Sequence, residues 1–560
     1  MNIKYLSYLA AAALVLSATS CDDFLDKAPD ERVTLKTPDQ LRLAMVNAYS
    51  VANIATLCEL SGDNLIDNNS PDENGMRYNL EYHDRADLEA FSFDDVKSNM
   101  EQDSPSYIWA NHYHAIAVCN NVIEGCEKLE AEGRGDEVSA IKGEALVSRA
   151  FHHFVLANMF SMPYAGPELS KSIPSIPYMT EIEDKVLVKY DRENLASVYS
   201  KVRTDIEAGI PLLNDGIYDV PKYHFNVKAA NAFAARFFLY CREYELAEKY
   251  ATEALGGASA NPAQMMRTFW SKSFTSSSAY ITAYCSAQEQ SNLMLIQTMS
   301  WYNRARGGRF AINRTPRSAT IYGNGPTWNT SYTHYYCHPC YAGKVYLRGS
   351  QEYGIFILKA GEQFEYKNKV QGTGWGHVVR CEFTAEEALL TRAEARIWLS
   401  QKNPAKLQEA LADLSIWDKS RQNTPIQVVY PELTDKAIRD FYTVDPEGFE
   451  VVKPLHIDKV YPLADYSVDA TIAPYLQCVL HFRRLETIDD GLRWFDIKRY
   501  GIEITHHIGA SRVETLTYND GRRALQIPPE VLTAGFAPNV RVTPPAQPDQ
   551  QVANKYLVAK

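Results

Sequence analysis

Three groups of residues carry types and spacings that could do chemistry. Cys337-His-Pro-Cys340, with His334 close by, offers thiols and imidazoles to a metal or to redox exchange. Zinc takes four ligands, and no distant second pair completes this one. A redox Cys-x-x-Cys opens a helix after a strand, so that the helix dipole favours the thiolate. Tyr335-Tyr336 and Cys340-Tyr-Ala-Gly343 read instead as loop, which leaves a local disulfide or free thiols. The oxygen-rich cluster Asp63, Asp67, Asn68, Asn69, Asp72 and Glu73 lacks the spacing and turn glycine of a calcium loop and is predicted to be a solvated loop. Glu386-Glu387 and Asp489-Asp490 are adjacent acids in helical segments. Their side chains point different ways, unlike the two carboxyls that face each other across a glycosidic bond.

His-Glu-x-x-His, the phosphate-binding Gly-Lys-Ser/Thr and Gly-x-Ser-x-Gly do not occur. Gly372-Thr-Gly-Trp-Gly376 lacks the flanking elements of a dinucleotide site and is predicted to be a loop. No motif asks for a metal or a cofactor. What remains is an aromatic series. Trp270, Trp301, Trp328 and Trp375 fall in one polar, Gly/Asn-rich stretch, with Tyr322, Tyr332, Tyr335, Tyr336, Tyr341 and Tyr346 around Trp328. Flat rings in such loops suit sugar faces or peptide side chains, because they offer apolar area at low entropic cost. Trp270, Trp301, Trp328, Tyr332, Tyr335 and Trp375 are the candidate ligand-binding residues.

The elements that must hold these rings are helical. Apolar residues recur at three- and four-residue steps over Tyr107 to Leu129 and Ile141 to Phe160, joined by a charged turn from Glu130 to Glu137, and again over Glu193 to Leu213. Ala229 to Leu255 alternates small and large residues (Ala235, Phe238, Tyr244, Ala247, Ala254, Leu255) as a tetratricopeptide helix pair does, and Ala385 to Leu414 offers a second pair. Tyr475 to Tyr500 is a further helical stretch. Residues 257–380 are a loop-rich insertion with short β runs at Leu293 to Gln297 and Gly354 to Leu358, and a Pro-rich polar tail closes the chain.

Residues 1–20 carry one basic residue, Lys4, then the apolar run Leu9 to Leu16 and small residues before the first cysteine. This is the layout of a secretory signal peptide, too short to span a bilayer of about 30 Å. Ala18-Thr-Ser-Cys21 is similar to a bacterial lipobox, with Ala18 where Leu is commoner. Cys21 is therefore the expected lipidation site and first mature residue, and 21–36 an acidic tether. Setting Cys21 aside leaves an odd set of cysteines, 58, 119, 126, 241, 285, 337, 340, 381 and 478, which is not a disulfide framework. A net charge of -12 without any Lys/Arg run excludes nucleic acid as a partner. Hydrophobic residues at 46% suffice for a large core.

Four stretches together resemble the RagB/SusD family of outer-membrane nutrient-binding lipoproteins. They are Cys21-Asp-Asp-Phe-Leu-Asp26; Ile141 to Phe154, running on to Met162-Pro163; Ala388-Leu-Leu-Thr-Arg-Ala-Glu-Ala395; and Phe482 to Gly501. Ile527-Pro-Pro-Glu530 is similar to the family's closing element. The chain departs from the pattern at Phe482-Arg-Arg484, where Glu-Arg is usual. The resemblance implies a mainly α fold, a tetratricopeptide-like helix-pair scaffold with the ligand surface in the loop-rich, short-strand insertion. The expected division is signal peptide 1–20, tether 21–36, helical regions 37–256 and 381–560, and insertion 257–380, in one compact unit. It further implies a non-enzymatic protein, anchored by lipid in the outer membrane and facing outward. Such a protein passes oligosaccharide, or peptide, to a TonB-dependent (SusC-like) transporter. Arg149, Glu394, Arg493 and Asp496 are then expected in buried ion pairs or caps rather than at ligand.

Overall fold

The computed structural model of this chain describes residues 35–71, 77, 84–182, 190–269, 272, 274–302, 309–312, 323–328, 340–347, 350–359, 361–422, 430–443, 451–463 and 465–541, with backbone alone over 340–356. The predicted helices form where the periodicity puts them. After α1 (Ala55–Ser61) comes α2 (Pro105–Ala131), opened by Pro105 and by Ser104 Oγ, which accepts from Tyr107 N at 3.1 Å. The turn through Gly133, at φ 81°, leads into α3 (Gly135–Phe160), whose first turn carries Asp136 and Glu137. Helix α4 (Leu195–Gly209) lies along α3. The two backbones meet at Gly143 and Gly209, where a Cβ on either would come within 2.8 Å of the other's carbonyl oxygen.

The two predicted tetratricopeptide-like pairs are helical hairpins, α5 (Val227–Tyr240) with α6 (Tyr244–Ala254) and α7 (Ala385–Leu399) with α8 (Ala405–Ser420). Ala230, Ala234, Ala247, Ala251 and Ala254 are buried, so the α5 and α6 backbones can approach closely. The hairpins stack through α6 and α7, with Tyr244 parallel to Trp398 at 5.4 Å and Arg396 Nε 2.8 Å from Glu248. Helices α9 (Ala473–Glu486) and α10 (Leu492–Tyr500) complete the body, α9 against α7 and α10 against α1.

The insertion contributes most of the strands. These are β1 (Ile66–Asp67), β2 (Asn292–Met299), β3 (Phe310–Ala311), β4 (Cys340–Leu347), β5 (Ser350–Ile357), β6 (Glu362–Asn368), β7 (Thr373–Thr384), β8 (Ile504–Ile508) and β9 (Arg512–Leu516). An antiparallel sheet runs β2-β7-β6. Strand β7 continues without a break to Thr384, whose Oγ1 accepts from Glu387 N and caps α7.

The acidic cluster is not a solvated loop where it is described. Asp63 is buried and accepts from Nε and Nη2 of Arg493, both at 2.9 Å, with Arg484 Nη2 at 3.5 Å and Lys453 Nζ at 3.7 Å. Asp67 is buried under the guanidinium of Arg309, at 2.7 Å to each of two nitrogens, and accepts from Gly509 N. Partners more than 240 residues away cannot be read from local composition, which is why the cluster looks like surface in the sequence. Asp72 and Glu73 lie outside the described residues. The four residues expected in buried ion pairs are so placed, Arg493 on Asp63 as above: Arg149 grips Asp205 at 2.7 and 2.8 Å, Arg483 Nε meets Asp496 at 3.0 Å, and Arg499 bridges Asp496 and Glu394.

Burial alone would raise the Asp63 carboxyl, but Arg484 and Arg493 outweigh it and hold it well below the ordinary carboxylate range. A depressed carboxyl stabilises the fold above its unfolded value of about 4 and loses that contribution as pH falls through the folded value. Replacing Asp63 by Ala takes the carboxylate from the buried guanidinium of Arg493 and leaves Arg484 only Asn64 Oδ1 and the residue-63 carbonyl. Urea unfolding should show a loss of about 3–5 kcal/mol at neutral pH, and a smaller gap between mutant and parent in acid. An Arg134→Ala change at an exposed pair should leave the midpoint where it is.

Candidate ligand-binding platform

Strand β2 delivers Trp301 just beyond its end. Ser300 N donates to Gly376 O at 3.0 Å, continuing the ladder, and the chain is then clamped by Asp103. The Asp103 carboxylate accepts from Ser300 Oγ and from Trp301 N, each at 2.8 Å. Asp103 sits at φ 64°, a conformation that costs a non-glycine residue about 1–3 kcal/mol and persists only where surroundings impose it. Asn53 extends the clamp, donating to Ser300 Oγ at 3.1 Å and accepting from Arg380 Nη1 at 2.9 Å. Burial pushes the Asp103 carboxyl up to about 6 although Ser300 and Trp301 N favour its charged form.

The β6–β7 hairpin supplies the rest. Its register pairs Phe364 with Gly376 and Tyr366 with Gly374, so two rings on one strand face two bare positions on the other. Gly374 is needed for the backbones to pass, since a Cβ there would lie 1.9 Å from Glu365 O. At Gly376 a Cβ would meet Trp301 Cε3 at 3.1 Å, which shows the indole resting over this glycine. Trp301 and Phe364 are 6.4 Å apart and inclined at 39°, and Phe364 meets Tyr366 edge-on at 4.8 Å. Trp301 and Phe364 are half-buried and Tyr366 is 53% exposed. Three rings thus share one face of a hairpin whose partner strand is cut down to glycine.

The structure sorts the predicted rings differently from the sequence. Trp375, 37% exposed, pairs with Glu365 and so points to the opposite face of the hairpin from Phe364 and Tyr366. Glu365 there meets His377 Nε2 at 2.7 Å. Trp328 is corrected from a surface ring to a core ring. It is 6% exposed, donates from Nε1 to Gly323 O at 2.9 Å and lies 5.9 Å from Phe482 on α9. An indole enclosed in this way has no face to offer a ligand. Cys21, Trp270, Tyr322, Tyr332, Tyr335, Tyr336 and Cys337 lie outside the described residues, as do the side chains of Cys340, Tyr341 and Tyr346 on β4. Phe364 and Tyr366 were missed. Their signal is the pattern Phe-x-Tyr facing Gly-x-Gly, and the glycines read as loop in Gly372–Gly376 are a turn and the start of β7.

The acid pairs are engaged. Glu387 is held by Arg236 at 2.7 and 2.8 Å, Glu386 accepts from Arg267 N, Asp489 accepts from Tyr302 and Asp490 pairs with Lys359. Among the described residues there is no group of three side chains that could hold a metal, and no helix long and apolar enough to cross a membrane.

Residues 23–239 match the SusD-like family, described as starch-binding and associating with the outer membrane. No curated protein matches. Solved structures with the same fold include a proposed sugar-binding protein from Bacteroides vulgatus, at 17% identity and a TM-score of 0.60, covering 91% of this chain and 99% of that one. A SusD superfamily protein from Bacteroides thetaiotaomicron is 18% identical with a TM-score of 0.56, over 90% and 100% of the two chains. A SusD-like carbohydrate-binding protein from Bacteroides vulgatus is 14% identical with a TM-score of 0.52, over 93% and 97%.

The two tryptophans should separate in a stability assay. Trp328→Ala opens a core cavity and should cost about 3–5 kcal/mol in denaturant unfolding, whereas Trp301→Ala should cost clearly less.

Proposed function

We propose that this SusD-like protein is a surface-facing, outer-membrane lipoprotein that captures an oligosaccharide on the Trp301–Phe364–Tyr366 face and passes it to a TonB-dependent transporter of the SusC-like type. The observation that carries the reading is the platform: three rings on one side of a hairpin, with Trp301 clamped at its backbone by Asp103 and seated over Gly376. Sugar rings present C–H faces that lie flat on such surfaces, and a ring fixed before binding loses little entropy on doing so.

Two further observations support a binder rather than a hydrolase. The adjacent acids that might have served as a catalytic pair are spent in buried contacts with Arg236, Arg267, Tyr302 and Lys359. The helix pairs also give the hairpin a rigid base, since β7 runs straight into α7. The match to a starch-binding family and the likeness in fold to a carbohydrate-binding protein support a carbohydrate cargo. The signal-like segment and Cys21 support anchoring, with the acidic stretch after it as a leash long enough for the body to swing over a channel.

Titration calorimetry of the purified mature protein against a panel of oligosaccharides and peptides tests this. Heat of binding is expected with an oligosaccharide. Trp301→Ala and Tyr366→Ala should each weaken it more than about tenfold, roughly 1.4 kcal/mol. Binding confined to peptides would replace the glycan reading with peptide cargo, and unchanged affinity in both variants would move the site elsewhere.

A further inference from the structure

Most of the described cysteines are isolated thiols in the core. Burial pushes Cys58, Cys119, Cys126, Cys241 and Cys478 above the ordinary thiol value, as expected of inert hydrophobes. Cys285 and Cys381 differ. Cys285 follows the eight-residue helix Ser277–Tyr284 as its C-cap, and Cys381 lies on β7. Their surroundings interlock. Cys285 Sγ is 3.3 Å from the carbonyl oxygen of Val379 and 3.2 Å from that of Lys359, while Cys381 Sγ is 3.7 Å from the carbonyl oxygen of Tyr284. Each sulfur thus reaches a carbonyl within two residues of the other cysteine, which brings the two thiols side by side. Both pack against the small aromatic cluster of Phe269, Tyr280 and Tyr284.

From this geometry we infer that Cys285 and Cys381 are a disulfide-forming pair, joined covalently in the exported protein. The chemistry of the pair is asymmetric in the required sense. The neighbouring Cys381 thiol lowers the Cys285 thiol, with Arg267 and Lys359 adding positive charge nearby, while Cys285 and burial raise Cys381. Cys285 is therefore the attacking thiolate. It displaces one sulfur of a donor disulfide to give a mixed disulfide, and Cys381 then loses its proton and displaces the second donor sulfur. Two protein thiols and one donor disulfide become one protein disulfide and two donor thiols. Both cysteines are half-buried rather than sealed in the core, so the exchange takes place at the pair as the folded chain positions it.

The bond would close the chain from residue 285 to residue 381, a loop that holds β2 through β6 and the platform rings. It would bolt the helix Ser277–Tyr284 to the last third of β7, four residues before the α7 junction at Ala385. Covalent closure of a loop this long removes much of the freedom of the unfolded insertion. The inference rests on the export in the proposed function, because disulfides persist in oxidising compartments.

The test uses the full chain made with its own leader and recovered from the membrane fraction. Free thiols are blocked with iodoacetamide without reductant, and the digest is read by mass spectrometry. A linked peptide pair joining residues 285 and 381 is expected, lost on treatment with dithiothreitol. Reductant should also lower the melting temperature by about 2 °C or more, and should not do so in Cys285→Ser. Full alkylation of both cysteines in a chain whose leader has been removed overturns the inference. A retained leader would instead count against export. The purified chain is then refolded with oxidised glutathione, where formation of the 285–381 link upholds the pair and its absence overturns it.

Discussion

The pairing of Asp63 with Arg493 and Arg484 ties the first described helices to the last ones, across more than 420 residues of chain. It is one of several buried contacts of the same kind. Arg236 on α5 reaches Glu387 on α7 and Glu382 on β7, Arg392 grips Asp413 between α7 and α8, and Arg483 joins α9 to Asp496 on α10. Pairs of this sort add little net stability, because desolvating two charges offsets their attraction. Removing one partner, however, leaves a buried charge that the protein cannot solvate. Each pair therefore penalises any arrangement of helices other than the one in which it closes. In a scaffold of similar amphipathic hairpins, where apolar faces could slide past one another, that penalty sets the register.

The platform inherits its rigidity from this frame. Arg236 holds Glu382 near the end of β7 and Glu387 in the first turn of α7, so the strand-to-helix passage is fixed on both sides. From there β7 runs back to the glycines beneath Trp301 and Tyr366. Trp301 is fixed from a second direction by Asp103, whose left-handed backbone lies just ahead of α2. The proposed ligand face is thus a short, irregular surface stretched between two well-packed helical elements.

The helices were legible in the sequence because amphipathic periodicity is a local property. Every predicted helical segment is present, except that Tyr475 to Tyr500 is broken between Glu486 and Leu492, where Asp489 and Gly491 take positive φ and place Asp489-Asp490 in a turn rather than a helix, and the alanines of Ala229 to Leu255 lie at the close contact they imply. The buried roles of Arg149, Glu394, Arg493 and Asp496 followed from the family resemblance, and their partners could not be named from spacing. What escaped the sequence depends on contacts between distant segments. Asp63 and Asp67 read as surface until their arginines are seen. Trp328 and Trp301 have similar neighbourhoods in the chain, yet one is folded under α9 and the other laid over a glycine. Phe364 and Tyr366 are ordinary residues of an ordinary strand until the register sets them opposite Gly376 and Gly374.

The central claim is that the indole, phenyl and phenol rings of residues 301, 364 and 366 form the surface on which a sugar lies. A crystal structure of the protein with a bound oligosaccharide tests it directly. The account predicts a pyranose ring stacked on Trp301 or Tyr366, on the side of the hairpin away from Trp375. A well-ordered sugar elsewhere, with this face bare, would contradict it.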